Sequence, residues 1–253
     1  MFCTLVLEES KKRFCRNLKI EEKQIGEIAF IKVTAHKKSA LKKIEKKLKG
    51  KADTIILSEN LKDFHFNKIN VYKNDLFLKS IAKYTFKNII KLSKIPPNSL
   101  SVCIKDGDCE FSDFVYSLAN SSNTIKIITD NKEKYEIICN KIYDDFGMNP
   151  IISKDFEGVD LGVDFDSENP KIWFKNPKNY AEITKKCVHL SAGLKGYVPK
   201  GISECDFAGV LKEYKIFRRL NLLHADLILK NNKFYKINQD NIKNFLDIKE
   251  ECC

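Results

Sequence analysis

Apolar positions along the first ninety residues switch between two periods. Glu27 to Thr34 (EIAFIKVT) has strand character, and Lys38 to Leu48 sets Ala40, Leu41, Ile44 and Leu48 on one helical face before Gly50 stops it. Thr54-Ile55-Ile56-Leu57 predicts the next buried strand, and Ile69-Asn70-Val71-Tyr72 a shorter one. From Asp75 to Ser93 a stripe of Leu76, Phe77, Ile81, Tyr84, Ile89 and Leu92 predicts one long helix. Pro96-Pro97 cannot continue it. The expected division therefore falls at this point, with a basic α/β domain over residues 1–95 and a second domain over 96–253.

Beyond the prolines the alternation becomes regular. Leu100 to Ile104 is a continuous apolar strand, Phe111 to Ala119 a helix, Thr124 to Thr129 a strand and Lys132 to Phe146 a helix closed by Gly147. Pro150 to Ser153 and Val159 to Phe165 supply two further strands. Strands apolar throughout are covered on both faces, so the expected fold class is α/β, with a doubly wound, mainly parallel sheet. An irregular C-terminal extension follows. Within it, Ile172-Trp173-Phe174 predicts a strand and Asp206 to Leu220 a helix. Leu227 to Lys230 and Lys233 to Ile237, around Asn231-Asn232, predict a hairpin.

Charge changes the picture by halves. Up to Ser99 there are 23 Lys and Arg against 10 Asp and Glu; the rest of the chain has 22 against 24, so the net +11 arises entirely from the first half. Such a field suits an acidic protein or an anionic surface. Nucleic acid is disfavoured, because only Arg13, Arg16, Arg218 and Arg219 supply the guanidinium fork on which base and phosphate recognition leans. The Lys excess also matches an AT-rich codon bias. No apolar run reaches the roughly 20 residues of a membrane span.

Nine cysteines, at 3, 15, 103, 109, 139, 187, 205, 252 and 253, form no Cys-x-x-Cys pair and no zinc spacing. They read as reduced thiols. Met1 to Leu7, followed by Glu8-Glu9, lacks the flanks of a secretory signal, so a cytoplasmic location is expected. Cys252-Cys253 reads as an accident of the tail rather than a lipidation signal. His36, His65, His189 and His224 share no spacing that would group them.

In an open α/β sheet the place for a ligand lies beyond the carboxyl ends of the strands, which directs attention to Lys105-Asp106-Gly107-Asp108-Cys109-Glu110-Phe111-Ser112. The order of strand, Gly-bearing loop, helix and strand ending in an acid over residues 100–166 resembles the Rossmann-like NAD(P)-binding superfamily. That resemblance implies a cofactor site at Gly107, Cys109 and Ser112, standing where the three fingerprint glycines would be. Asp130, 23 residues after Gly107, stands where an acid would bond a ribose hydroxyl. NAD or NADP is the cofactor it implies. Asp106, Asp108 and Glu110 crowd the position of a pyrophosphate and would repel it, so neither cofactor is favoured.

Two further likenesses complete the reading. The whole layout, with Pro199-Lys200-Gly201-Ile202 near its end, resembles a group of hypothetical bacterial proteins from clostridia and their relatives, to which no activity attaches. Asp106-Gly107-Asp108 is similar to the D-x-D signature of haloacid-dehalogenase-like phosphatases. This would make Asp106 a nucleophile and Asp108 its acid/base beside magnesium, with Thr129 and Asp164 or Asp166 completing the set. Some two dozen residues between the first and second motifs leave no room for a cap, and a plain Asp-Gly turn is the preferred reading. The expectation is thus a binding or interaction protein on a degenerate nucleotide-fold scaffold; a dinucleotide-dependent oxidoreductase or, further off, a phosphatase are the alternatives.

Overall fold

A computed structural model describes residues 1–8, 18–175, 180–214, 223–224, 227–230, 233–236 and 240. In chain order the elements are β1 (Phe2–Leu7), β2 (Leu18–Ile25), β3 (Ile28–Ala35), α1 (Ile44–Leu48), β4 (Thr54–Leu57), β5 (Asn70–Val71) and α2 (Asp75–Ser93). There follow β6 (Ser101–Lys105), α3 (Ser112–Leu118), β7 (Thr124–Ile128), α4 (Lys132–Phe146), β8 (Ile151–Ile152), β9 (Leu161–Asp164), β10 (Lys171–Phe174) and β11 (Tyr180–Glu182). The chain continues through β12 (His189–Leu190), α5 (Ala192–Lys195), α6 (Glu204–Glu213), β13 (Leu223–His224), β14 (Leu227–Lys230) and β15 (Lys233–Lys236). The protein is α/β. It forms two compact units, one of residues 1–74 and 188–224, the other of 75–187 and 225–253. The first division falls before α2, not at the double proline, because α2 packs its Phe86 edge-on to Phe114 of α3.

The first unit is a five-stranded sheet in the order β2-β3-β1-β4-β5, parallel except for the β2–β3 hairpin. Gly26, at φ +57°, makes the tight turn of that hairpin possible. Central β1 is buried along its whole length, so Phe2-Cys3-Thr4-Leu5-Val6-Leu7 shows no alternation to the eye. On one face Cys3, Leu5, Ile31, Val33 and Ile55 meet Leu41, Ile44 and Leu48. The stretch carrying these last three is expected as one helix but begins as a 3₁₀ turn over Lys38–Lys43 before α1. On the other face Phe2 and Phe30 stack on each other and both meet Phe207 of α6 edge-on, so a helix from far downstream in the chain completes the core.

In the second unit β8, β7, β6 and β9 are parallel neighbours, extended by antiparallel β10, β11, β14 and β15. The hairpin expected near the C-terminus is β14–β15. Steps from β6 through α3 to β7 and through α4 to β8 run in one direction, which with right-handed crossovers places both helices on one face. Gly147, at φ +68°, closes α4 with its amide on the Tyr143 carbonyl. The return from β8 to β9 runs the opposite way over the other face and is made of turns, with no helix. There the Phe156 ring sits so close to Gly162 that a Cβ at that position would lie 2.5 Å from it. Lys126, in mid-strand on that face, donates to the Glu157 carbonyl at 2.6 Å. Among the described residues no helix is long and apolar enough to cross a membrane.

Candidate functional site

The order of connection reverses between the parallel neighbours β6 and β9, and the loops beyond their carboxyl ends lie side by side. Asp106 continues the β6 ladder, its amide donating to the Ile128 carbonyl at 2.9 Å, while its side chain turns inward and is 2% exposed. The carboxylate accepts three hydrogen bonds: from the Tyr135 hydroxyl at 2.6 Å, the Phe111 amide at 2.7 Å and the Glu110 amide at 3.1 Å. The last two are the amides that precede α3, the place where a phosphate would otherwise be received. Burial, followed by the bond to Asp106, pushes the Tyr135 hydroxyl far above the ordinary range, so it stays a donor.

The next residue is closed in the same way. The Gly107 amide donates to both oxygens of Asp166, at 3.0 and 3.1 Å. A Cβ on Gly107 would lie 3.3 Å from a carboxylate oxygen of Asp130 and of Asp166, a tight approach that would push both side chains back by a few tenths of an ångström. Its carbonyl accepts from the Thr129 hydroxyl at 3.1 Å, and that hydroxyl accepts from the Asn131 amide at 3.0 Å. Asp164 takes the Asp166 and Ser167 amides and the Ser167 hydroxyl, with Lys105 at 3.4 Å. Burial raises the Asp166 carboxyl above the usual carboxylate range, against the lowering by the Gly107 amide and Lys105.

Of the four residues expected to hold a cofactor, Gly107 and Asp130 line one cleft of about 340 Å³, with Asp108, Asn131, Lys132 and Glu133. Three acids to one lysine make this mouth unwelcoming to diphosphate. Cys109 sits beside it at φ +61°, its thiol raised by burial and by Asp106, and Ser112 opens α3. Neither belongs to that lining. Asp166 and Tyr135 are the residues whose roles sequence reasoning missed: the first entered only as an alternative metal-side acid, and the second was not singled out within the Lys132 to Phe146 helix. A tyrosine at a core position does carry a signal, since its hydroxyl must find a partner.

The remaining chemistry is quiet. Among the described residues no group of three His, Cys, Asp or Glu is placed to hold a metal ion. Cys3, Cys103, Cys109, Cys139, Cys187 and Cys205 are free thiols, and burial pushes Cys3 and Cys103 up to about 12, so neither is a nucleophile near neutrality. Cys15, Cys252 and Cys253 and all four arginines lie outside the described residues. Compared with family models, curated proteins and solved structures, the chain matches none.

Proposed function

We propose that this is a binding or interaction protein whose second unit keeps a nucleotide-fold scaffold without its cofactor. One observation carries the reading: at the switch point the Gly107 amide is bonded to the carboxylate of Asp166, so the chain supplies its own anion where a ligand's phosphate would sit. Asp106, the candidate phosphatase nucleophile, is buried with three donors on its carboxylate, which take up most of its acceptor capacity and close it off from a substrate. A dinucleotide-dependent oxidoreductase would need both groups released. Thermal melts with NAD, NADP, nucleotides and magnesium test the proposal, since a ligand that binds only the native state raises the midpoint. No shift that depends on Asp130 is expected; stabilisation by NAD that Asp130→Ala abolishes would make the oxidoreductase the better reading. Phosphomonoester turnover lost in Asp106→Asn would favour the phosphatase.

The interaction surface that fits this role lies in the first unit. Lys37, Lys38, Lys42, Lys43, Lys46, Lys47, Lys49 and Lys51 are all exposed around α1. The single acid among them, Glu45, is turned to the backbone amides of Asn67 and Lys68. Eight ammonium groups whose one interspersed acid is taken up by backbone amides select an acidic protein surface. Reversing Lys42, Lys43, Lys46 and Lys47 to Glu should abolish binding to an acidic polypeptide such as polyglutamate. Equal binding by the reversed variant would sink the assignment, and a preference for anionic vesicles or for nucleic acid over polyglutamate would replace the partner.

A further inference from the structure

A cleft of about 490 Å³ opens in the first unit, beyond the carboxyl ends of β1 and β4. Its position follows from the topology: β1 is followed in the chain by β2 on one side of the sheet, while its other neighbour β4 is followed by β5 on the opposite side, the arrangement beyond which open α/β sheets form a crevice. Val6, Leu7 and Ile202 form an apolar floor. Glu8 and Glu59 stand on the strand side, and Lys200 with Ser203 on the side of the loop that leads into α6.

The walls are fixed before any ligand arrives. Ser58, 2% exposed, donates its hydroxyl to the Asn60 side-chain oxygen at 2.6 Å, and the Asn60 amide donates to the Leu7 carbonyl at 3.0 Å, which ties the β1 and β4 loops together. Across the cleft the Glu59 amide donates to the Gly201 carbonyl at 3.4 Å. Gly201, at φ +89°, adopts a backbone conformation that other residues resist, and this turns the loop back over Ser58 and Val6. Glu204, at the start of α6, is committed to the Leu190 amide and Lys195 and so does not oppose an anion next to Lys200. The volume falls within the roughly 300–1,000 Å³ of small-molecule sites, and preorganised walls cut the cost of binding.

We propose that this cleft binds a sugar phosphate monoester, free or as part of a mononucleotide. The phosphate lies against Lys200 and Ser203, sugar hydroxyls donate to Glu59 and Glu8, and the apolar floor takes whatever the sugar carries. The polarity decides the class. Among the described lining residues, a lone phosphate at Lys200 would leave the Glu8 and Glu59 carboxylates without a hydroxyl donor, Glu59 having only Lys62 at 3.6 Å, and a neutral sugar would leave Lys200 unmatched; a ligand with phosphate at one end and hydroxyl donors at the other satisfies both sides.

Titration calorimetry of the full chain with ribose 5-phosphate and AMP, alongside ribose and inorganic phosphate, tests this. Ribose 5-phosphate should bind at least about tenfold more tightly than either fragment, and Lys200→Glu, at an exposed position, should weaken it about tenfold or more. Glu59→Gln should narrow the preference for ribose 5-phosphate over inorganic phosphate. AMP tighter than ribose 5-phosphate identifies the mononucleotide, and equal affinity the sugar phosphate. No heat at ligand concentrations of about 5 mM, or unchanged affinity in Lys200→Glu, overturns the proposal. Binding lost in Asp130→Ala but kept in Lys200→Glu also overturns it, by placing the ligand in the second unit.

Discussion

Gly107 and Asp166, 59 residues apart in sequence, are joined by a forked hydrogen bond from one backbone amide to both oxygens of one carboxylate. The carboxylate is half-buried, near Asp164 and Asp106 and with Lys105 as its cationic neighbour. It thus serves the backbone while sitting in a place that penalises its charge. Burial wins over the favourable contacts, and its acid is weakened relative to the unfolded chain.

That balance fixes a sign. A carboxyl that holds its proton more tightly when folded favours the native state at low pH, and this contribution is lost as pH rises above the ordinary carboxylate value through the raised folded one. Asp166→Asn keeps an oxygen to accept from Gly107 and removes the titration. Urea melts of both proteins at a series of pH values should therefore show the variant gaining on the parent as pH rises through and just beyond the carboxylate range. A difference that stayed flat with pH would mean that burial does not disfavour the Asp166 charge.

Tyr135 is fully buried and, among the described residues, its hydroxyl is the only side-chain donor on the Asp106 carboxylate. Tyr135→Phe preserves the ring and deletes that donor, leaving a buried carboxylate short of a partner at a cost of about 1–3 kcal/mol. Equilibrium denaturation should show this as a lower midpoint with unchanged slope. Stability equal to the parent's would show that the loop does not depend on the bond.

The open face of the second sheet offers its own probe. Phe156 covers Gly162 and lies 5.7 Å from Trp173, the single tryptophan, which in turn is 5.0 Å from Tyr180. Gly162→Ala drives a methyl into the Phe156 ring and should cost about 1–3 kcal/mol. Because displacing Phe156 uncovers the indole, native fluorescence should shift to longer wavelength. An unmoved spectrum would show that the ring does not rest there.

What the sequence disclosed and what it concealed have separate physical causes. Asp75–Ser93 and Lys132–Phe146 carry a stripe of one period bounded by stop residues, and both helices form over those spans. Phe2–Leu7 is buried on both faces and has no period to read, while Leu18–Ile25 is an edge strand dominated by charge. Gly107 and Asp130 could be placed near each other from strand order alone. The bonds from Gly107 to Asp166 and from Tyr135 to Asp106 span 59 and 29 residues and depend on how helices and loops come to rest, which local pattern does not encode. The same limit applies to α6: periodicity marks its apolar face but not the sheet that face will cover.

Phe207 is fully buried edge-on to the stacked rings of Phe2 and Phe30, at centroid distances of 5.9 and 5.6 Å, and Val210 and Leu211 beside it are equally buried. Removing the ring by Phe207→Ala leaves a cavity under a helix that has no sheet of its own, at a cost of about 3–5 kcal/mol, a large part of the stability of an ordinary domain. A fragment of residues 1–95, cut where the sequence pattern alone divides the chain, would lose α6 altogether and expose Phe2, Val6, Phe30 and Ile56 on a bare sheet face. Such a fragment should show no cooperative melt and should aggregate, whereas adding residues 188–224 in trans or by a linker should restore a transition. A fragment of residues 1–95 that melts cooperatively as a monomer would show that the first sheet holds its core without the returning helix.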